Sequence, residues 1–267
     1  MMKCLLILLR ISLILLLAFS SLASCRLVAN FLAAPPNGCP QFFLNTPNGR
    51  VTPTILQGPN QRYRQICQEH LGVDRFATLY DTQSRIPVYS AYLHVHHAQV
   101  VRNDQWRQEL GLTNDQQATN NDYANSGMQK GHLYPVYHND NNVQADATFT
   151  LTNAAPQAQA FNNQWFHQVE QPINQHIENN CRGNPAYIVT GVIPSQNTIN
   201  NRVRVASHFW TAYCCRDNNG HVASGGALAW WNGALQLTPY GNAQIQLLEQ
   251  QLTNLYNIPF QVFGGHC

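Results

Sequence analysis

The chain has 267 residues, with 15 Lys plus Arg, 13 Asp plus Glu and only 10% charged residues, against about 25% in an ordinary globular domain. The excess of two cations is Lys3 and Arg10, so residues 25–267 are formally neutral. Global basicity therefore does not predict a polyanion partner, and no linker, internal repeat or charge block divides 25–267, which predicts one domain.

Residues 1–24, MMKCLLILLRISLILLLAFSSLAS, combine an early Lys3, a leucine/isoleucine run and small residues at Ser20, Ser21, Ala23 and Ser24. That pattern predicts a secretory signal peptide cleaved near Ala23 or Ser24. Arg10 interrupts the run, which argues against an uncleaved anchor, and no later stretch is apolar enough to span a bilayer. The expected protein is secreted and holds no stable membrane association after cleavage.

Residues 30–60 are rich in Pro, Gly and Asn and are expected to be loop. Residues 61–70 are expected to form a short helix. Residues 76–80 and 86–92 alternate as two strands around Asp81-Thr82-Gln83-Ser84, a hairpin. His94, His96 and His97 follow, and a zinc site built on them is a minor alternative. The 100–112 segment contains Arg102, Trp106 and Arg107, and an arginine there is suited to a phosphate. Residues 113–126 are expected to be loop.

The stretch 128–170 carries the chemistry. A strand is expected to end at Lys130-Gly131-His132, with a second strand at 148–152 and a helix starting near Asn162 and running past Glu170 until Pro172 ends or kinks it. Neutral histidine titrates near pH 6.5 and suits a general base. Asn162 offers an amide oxygen to a hard cation, and Glu170 lies on about the same helix face. Lys130 is the sole lysine of 25–267 and shares a strand face with His132, the place for a phosphate contact. Asn153, at the end of the second expected strand, is placed to hydrogen-bond the loop around His132 or His132 itself.

Further strands are expected at 186–192, 203–215 and 223–231, and a helix at 243–256 with leucines at 247, 248, 252 and 255. Strands and helices follow without a βαβ repeat, which predicts an α+β fold with a mostly antiparallel central sheet and flanking helices. Cys39, Cys67, Cys181, Cys214, Cys215 and Cys267 predict three disulfides. The expected pairing is Cys39 with Cys67, the other four pairing among themselves to tie down the C-terminus.

The motifs FATLYDTQSRIPVYSAY (76–92), KGHLYPVYH (130–138), ATFTLTNAAPQ (147–157), FN (161–162), Glu170, AYIVTGVIP (186–194) and SHFWTAYCC (207–215) resemble the DNA/RNA non-specific endonucleases, the ββα-metal or His-Me finger nucleases. The resemblance covers nearly all of 25–267. It implies that His132 activates water as general base, that Asn162 binds Mg2+ (with Mn2+ as an alternative) and that Glu170 supports the cation's water shell. It aligns Asn153 with the asparagine before Pro156-Gln157, and Arg102 with a substrate-binding arginine. The family's Asp-Arg-Gly-His is here Gln129-Lys130-Gly131-His132: Lys130 keeps the charge but not the planar two-pronged phosphate contact. The implied activity is hydrolysis of DNA and RNA phosphodiesters. The alternative is a catalytically weakened nuclease fold that serves as a secreted nucleic-acid or protein binder.

Overall fold

The computed structural model describes residues 22–94, 96–181, 183–242 and 244–267. The signal-peptide expectation lies outside the described residues except for 22–24, which open strand β1 (Leu22–Val28). The apolar runs singled out in the sequence form the middle of a nine-stranded sheet. The hairpin β5 (Val73–Asp81) and β6 (Ile86–His94) lies beside β10 (Ala186–Ile199), which pairs with β11 (Val203–Arg216) and then β12 (Val222–Trp231). With β4 (Tyr63–His70), β7 (Gln108–Glu109) and β13 (Leu235–Tyr240), the order is β13-β12-β11-β10-β6-β5-β4-β1-β7. Every pairing is antiparallel except the edge pair β1–β7. The α+β, mostly antiparallel architecture is as expected.

The sheet has a core on each face, because successive strand residues point to opposite sides. On β11, Phe209, Tyr213 and Cys215 enter one core, while Trp210, Ala212 and Cys214 enter the other. The adjacent cysteines therefore staple opposite faces: Cys215 to Cys181, and Cys214 to Cys267 at the C-terminus. Cys39 pairs with Cys67. The pairing read from the sequence holds.

One face carries helix α5 (Ile245–Tyr256), whose Ile245, Leu248 and Leu252 are buried, whereas Leu247 points to solvent. The buried Glu249 accepts from the amides of Val262 (2.7 Å) and Phe263 (3.3 Å), fixing the tail that leads to Cys267. The other face carries the 128–180 segment. Its two-stranded sheet, β8 (Gln129–His132) with β9 (Ala154–Gln157), is followed by a continuous helical stretch: α3 (Gln159–Trp165), a π turn (Phe166–Glu170) and α4 (Gln171–Asn180).

Five local expectations are corrected. Residues 63–70 are strand β4, not helix, with Ile66 and Cys67 buried on opposite faces and Gln68 bonded to Thr152 (2.7 Å) and Thr78 (3.3 Å). Residues 148–152 do not form a strand. Thr150 and Thr152 instead donate to the buried Glu109 carboxylate (both 2.5 Å), and the second strand is 154–157. The helix begins at Gln159, so Asn162 lies inside it. Pro172 neither ends nor sharply breaks it. Having no N–H, Pro172 cannot bond to Gln168, and the preceding turn widens, with the Gln171 amide bonding back to Phe166 O. The 30–60 loop contains a small hairpin, Leu44–Thr46 with Gly49–Val51.

Candidate active site

Strand β8 and the helical stretch face each other across a cavity of about 410 Å3, lined among others by Arg102, His132, Asn162, Phe166 and Glu170. The π turn is what aligns the helical residues. Two α-helical turns take about 7.2 residues, and a π turn absorbs about one more. Residues eight apart then stand on one line, as Asn162 and Glu170 do, with Phe166 between them.

Aromatic rings hold His132. Trp106 lies 4.5 Å away between centroids, and Phe149 meets it edge-on at 4.9 Å. Its Nε2 is buried and finds no acceptor among the described residues. The ring is partly exposed and lines the cavity, which leaves Nδ1 as the nitrogen open to it. Burial, aided by the nearby Arg102 guanidinium, pushes His132 down to about 3, so the imidazole is neutral at physiological pH. Arg102 is itself placed over the Phe149 ring (5.3 Å) and paired with Asp104 (2.8 Å). Burial raises the Glu170 carboxyl to about 8, opposed by Arg102.

Lys130 does not line the cavity. Its ammonium sits 5.6 Å from the Trp106 ring and 5.5 Å from Tyr123, and desolvation lowers its pKa. Lys130 and His132 thus flank one tryptophan. Gly131 between them is required by packing, since a Cβ there would strike the Gln157 side chain of β9.

Asn153 does not reach the cavity either. It is fully buried, and its amide is fully bonded. Oδ1 accepts from Tyr134 N and Ser90 Oγ (both 2.9 Å), and Nδ2 donates to Tyr134 O and Thr148 O (both 3.0 Å). Its own carbonyl accepts from Leu133 N (2.9 Å). Asn153 therefore locks the loop leaving His132 onto β6 and has no group left for chemistry. Tyr134 continues that lock by stacking on Tyr92 at 3.9 Å, and Tyr92 Oη bonds His138 Nδ1 (2.9 Å). His138 Nε2 bonds the Glu170 carbonyl (3.0 Å), so the strand side and the helix side of the cavity are tied together. A carbonyl only accepts, so Nε2 carries the proton and Tyr92 donates to Nδ1. Burial, with His94 and His97 nearby, pushes His138 down to about 3.

The three close histidines diverge. His94 is buried and bonded to His138 O (3.0 Å) and Asn174 (2.7 Å), His96 is exposed, and His97 lines the cavity against Tyr137. They do not converge on a common point for zinc, and no metal-binding cluster of three His, Cys, Asp or Glu occurs among the described residues. Of the two arginines flanking Trp106, Arg107 is buried and spends its guanidinium on Asp146 (2.8 Å). Sequence reading did not assign roles to Trp106 or Phe149. The one available signal was a tryptophan in an otherwise polar stretch, Arg102-Asn103-Asp104-Gln105-Trp106-Arg107.

The sequence model of the DNA/RNA non-specific endonucleases matches residues 60–257. The chain belongs to that family. It is 31% identical over 226 residues to the Homo sapiens "Endonuclease domain-containing 1 protein", covering 76% of this chain and 43% of that protein. The Mus musculus protein of the same name is 31% identical over 202 residues, 66% of this chain and 38% of its own length. The chain thus spans about two fifths of the relatives it matches. The fold is shared with a chain from a structure described as "Crystal structure of the EndoG/EndoGI complex: Mechanism of EndoG inhibition". There the TM-score is 0.56 at 19% identity, over 66% of this chain and 80% of that one. Within this endonuclease family member, the strand–strand–helix order is β8, β9 and α3, and the cavity lies where that motif folds back on itself.

Proposed function

We propose that this endonuclease-family chain, from residue 25 on, is a single secreted domain that hydrolyses DNA and RNA phosphodiesters with a divalent cation, Mg2+ or in its place Mn2+. The observation that carries the reading is convergence. A neutral histidine, an amide, a carboxyl and an arginine from positions 132, 162, 170 and 102 line one cavity. Three disulfides fit an oxidising compartment, and no helix among the described residues is long and apolar enough to cross a membrane.

The donor set fits a hard cation. Asn162 supplies an amide oxygen, and Glu170 is a partly buried carboxyl on the same line of the helical stretch, its pKa raised by burial. Asn162 would hold the cation and Glu170 would support its water shell; the cation when bound would offset the charge developing on the phosphate and the leaving oxygen. His132 Nδ1 is unprotonated and takes a proton from water at the cavity. Its low intrinsic basicity rises when a phosphate anion enters and offsets Arg102. Such a base contributes about 10²–10⁴ in rate. Arg102 meets a phosphate oxygen, and Trp106 and Phe149 keep the imidazole from turning. Plasmid nicking with Mg2+, with and without EDTA, tests this reading, and no cleavage with any of several divalent cations would end it.

A second reading is a binder with decayed catalysis. It is favoured by Lys130, whose ammonium rests on Trp106 and Tyr123 outside the cavity, where the family has an arginine. It predicts oligonucleotide binding without turnover.

A further inference from the structure

Hydrolysis of a phosphodiester moves two protons. His132 takes one from water, and the oxygen that leaves phosphorus must gain one, because an alkoxide is a poor leaving group near neutral pH. Two imidazoles besides His132 line the cavity, His97 and His167. His167 is exposed, and its Nδ1 pairs with Gln171 Oε1 on its own helical stretch (2.8 Å). His97 is half-buried and held on three sides. Its ring stacks on Tyr137 with 4.1 Å between centroids. Its backbone amide donates to Glu178 Oε1 of α4 (2.7 Å). Its Nδ1 meets the Tyr137 carbonyl at 2.8 Å.

A carbonyl only accepts, so the His97 Nδ1 carries a proton. Nε2 is then the working nitrogen, and it has no hydrogen-bond partner among the described residues. A backbone acceptor behind one ring nitrogen fixes the tautomer and orientation in which the other can transfer a proton. His97 and His132 reach the cavity from different directions. Arg102 is the charge beside His132, whereas His97 packs on Tyr137, further along the loop that leaves His132. Attacking and leaving oxygens lie roughly in line through phosphorus, so a base and an acid must stand apart around one phosphate.

We propose that His97 is a second catalytic residue, the general acid of the reaction. The oxygen of water bonds to phosphorus as its proton passes to His132 Nδ1. The bond from phosphorus to the leaving oxygen breaks as the Nε2 proton of the His97 imidazolium passes to that oxygen. Each imidazole returns to its starting state by proton exchange with solvent. Glu178 and Tyr137 position the ring. The inference rests on the nuclease reading of this cavity, and it adds the source of the leaving group's proton.

The test uses the full chain and a short oligonucleotide with either oxygen or sulfur as a bridging atom at one phosphate, in separate 3′- and 5′-bridged series. Sulfur leaves as a thiolate, whose conjugate acid has a pKa of ~8.5, so its departure needs no proton. His97→Asn keeps a donor for the Tyr137 carbonyl and has no second ring nitrogen; His97→Gln takes its place if His97→Asn does not melt with wild type. With Mn2+, the variant should cut the all-oxygen strand about 10² or more slower than wild type. It should cut the strand in which sulfur is the leaving atom at the wild-type rate, and bind the oligonucleotide in EDTA as wild type does. Unchanged cleavage of the oxygen strand overturns the proposal. So does an equal loss on oxygen and sulfur, which would make His97 a positioning residue only. No cleavage of either strand by wild type would refute the nuclease reading itself, whereas wild-type cleavage with equal losses in the variant would refute the acid alone.

Discussion

Replacing Asn153 by alanine separates positioning from chemistry. The residue is fully buried, and its amide makes four hydrogen bonds, to Tyr134 N, Tyr134 O, Thr148 O and Ser90 Oγ. Alanine orphans three backbone groups, each costing about 1 kcal/mol or more when buried, and leaves a small cavity besides. The expected loss is on the order of 3–5 kcal/mol. For a protein of this size 1 kcal/mol moves the melting temperature by about 2–4 °C, so a fall on the order of 10 °C is predicted. Circular dichroism melts in metal-free buffer read it directly. Ser90→Ala, which removes one of the four partners, should show a smaller fall. An Asn153→Ala protein that melts with wild type yet has lost all cleavage would refute the reasoning, because it would give Asn153 a chemical role its geometry denies.

Three further outcomes follow from the same structure. Gln129→Asp with Lys130→Arg should raise the cleavage rate in Mg2+, because the Lys130 ammonium rests on Trp106 and Tyr123 outside the cavity, whereas a longer, planar guanidinium can meet a phosphate in two places; an unchanged rate would contradict this. His138 has a pKa of about 3 in the fold against 6.5 in the unfolded chain. Its contribution to stability is therefore present above pH 6.5 and is lost as the pH falls toward 3. Melting temperatures measured down that range should fall more steeply for wild type than for His138→Gln, and parallel slopes would contradict this. The Cys181–Cys215 bridge closes a 34-residue span between the end of α4 and β11. Removing it as the double serine variant should cost about 3–4 kcal/mol on the chain-entropy estimate, seen as a lower denaturant midpoint.

The strands that read clearly in the sequence are those whose side chains are apolar on both faces. β6 and the start of β10 are buried almost throughout, and nothing but a central strand fits such runs. Where buried positions are polar, the pattern misled. Gln68 sits inside β4 bonding Thr78 and Thr152, so the segment lacked a strand signature. The reverse happened at Thr148-Phe149-Thr150-Leu151-Thr152, whose alternation suits a strand but whose hydroxyls serve Glu109. The true partner strand, Ala154-Ala155-Pro156-Gln157, has no β-branched residue and contains a proline. At the site, His132, Asn162 and Glu170 were legible because they lie within one short stretch of chain. Their alignment was not, since it depends on a π turn that Pro172 brings about by what it lacks. Trp106 and Phe149 were illegible for another reason. Their role is set by where the Arg107–Asp146 pair and the Arg107–Thr150 bridge bring two distant segments together, which no local pattern encodes.

Plasmid nicking by wild type and His132→Ala side by side, in Mg2+ and in EDTA, tests the central claim most directly. The account predicts cleavage by wild type in Mg2+ only, and loss of about 10² or more in rate for His132→Ala with an unchanged circular dichroism spectrum. Equal cleavage by both proteins, or none by wild type with any divalent cation, would contradict it.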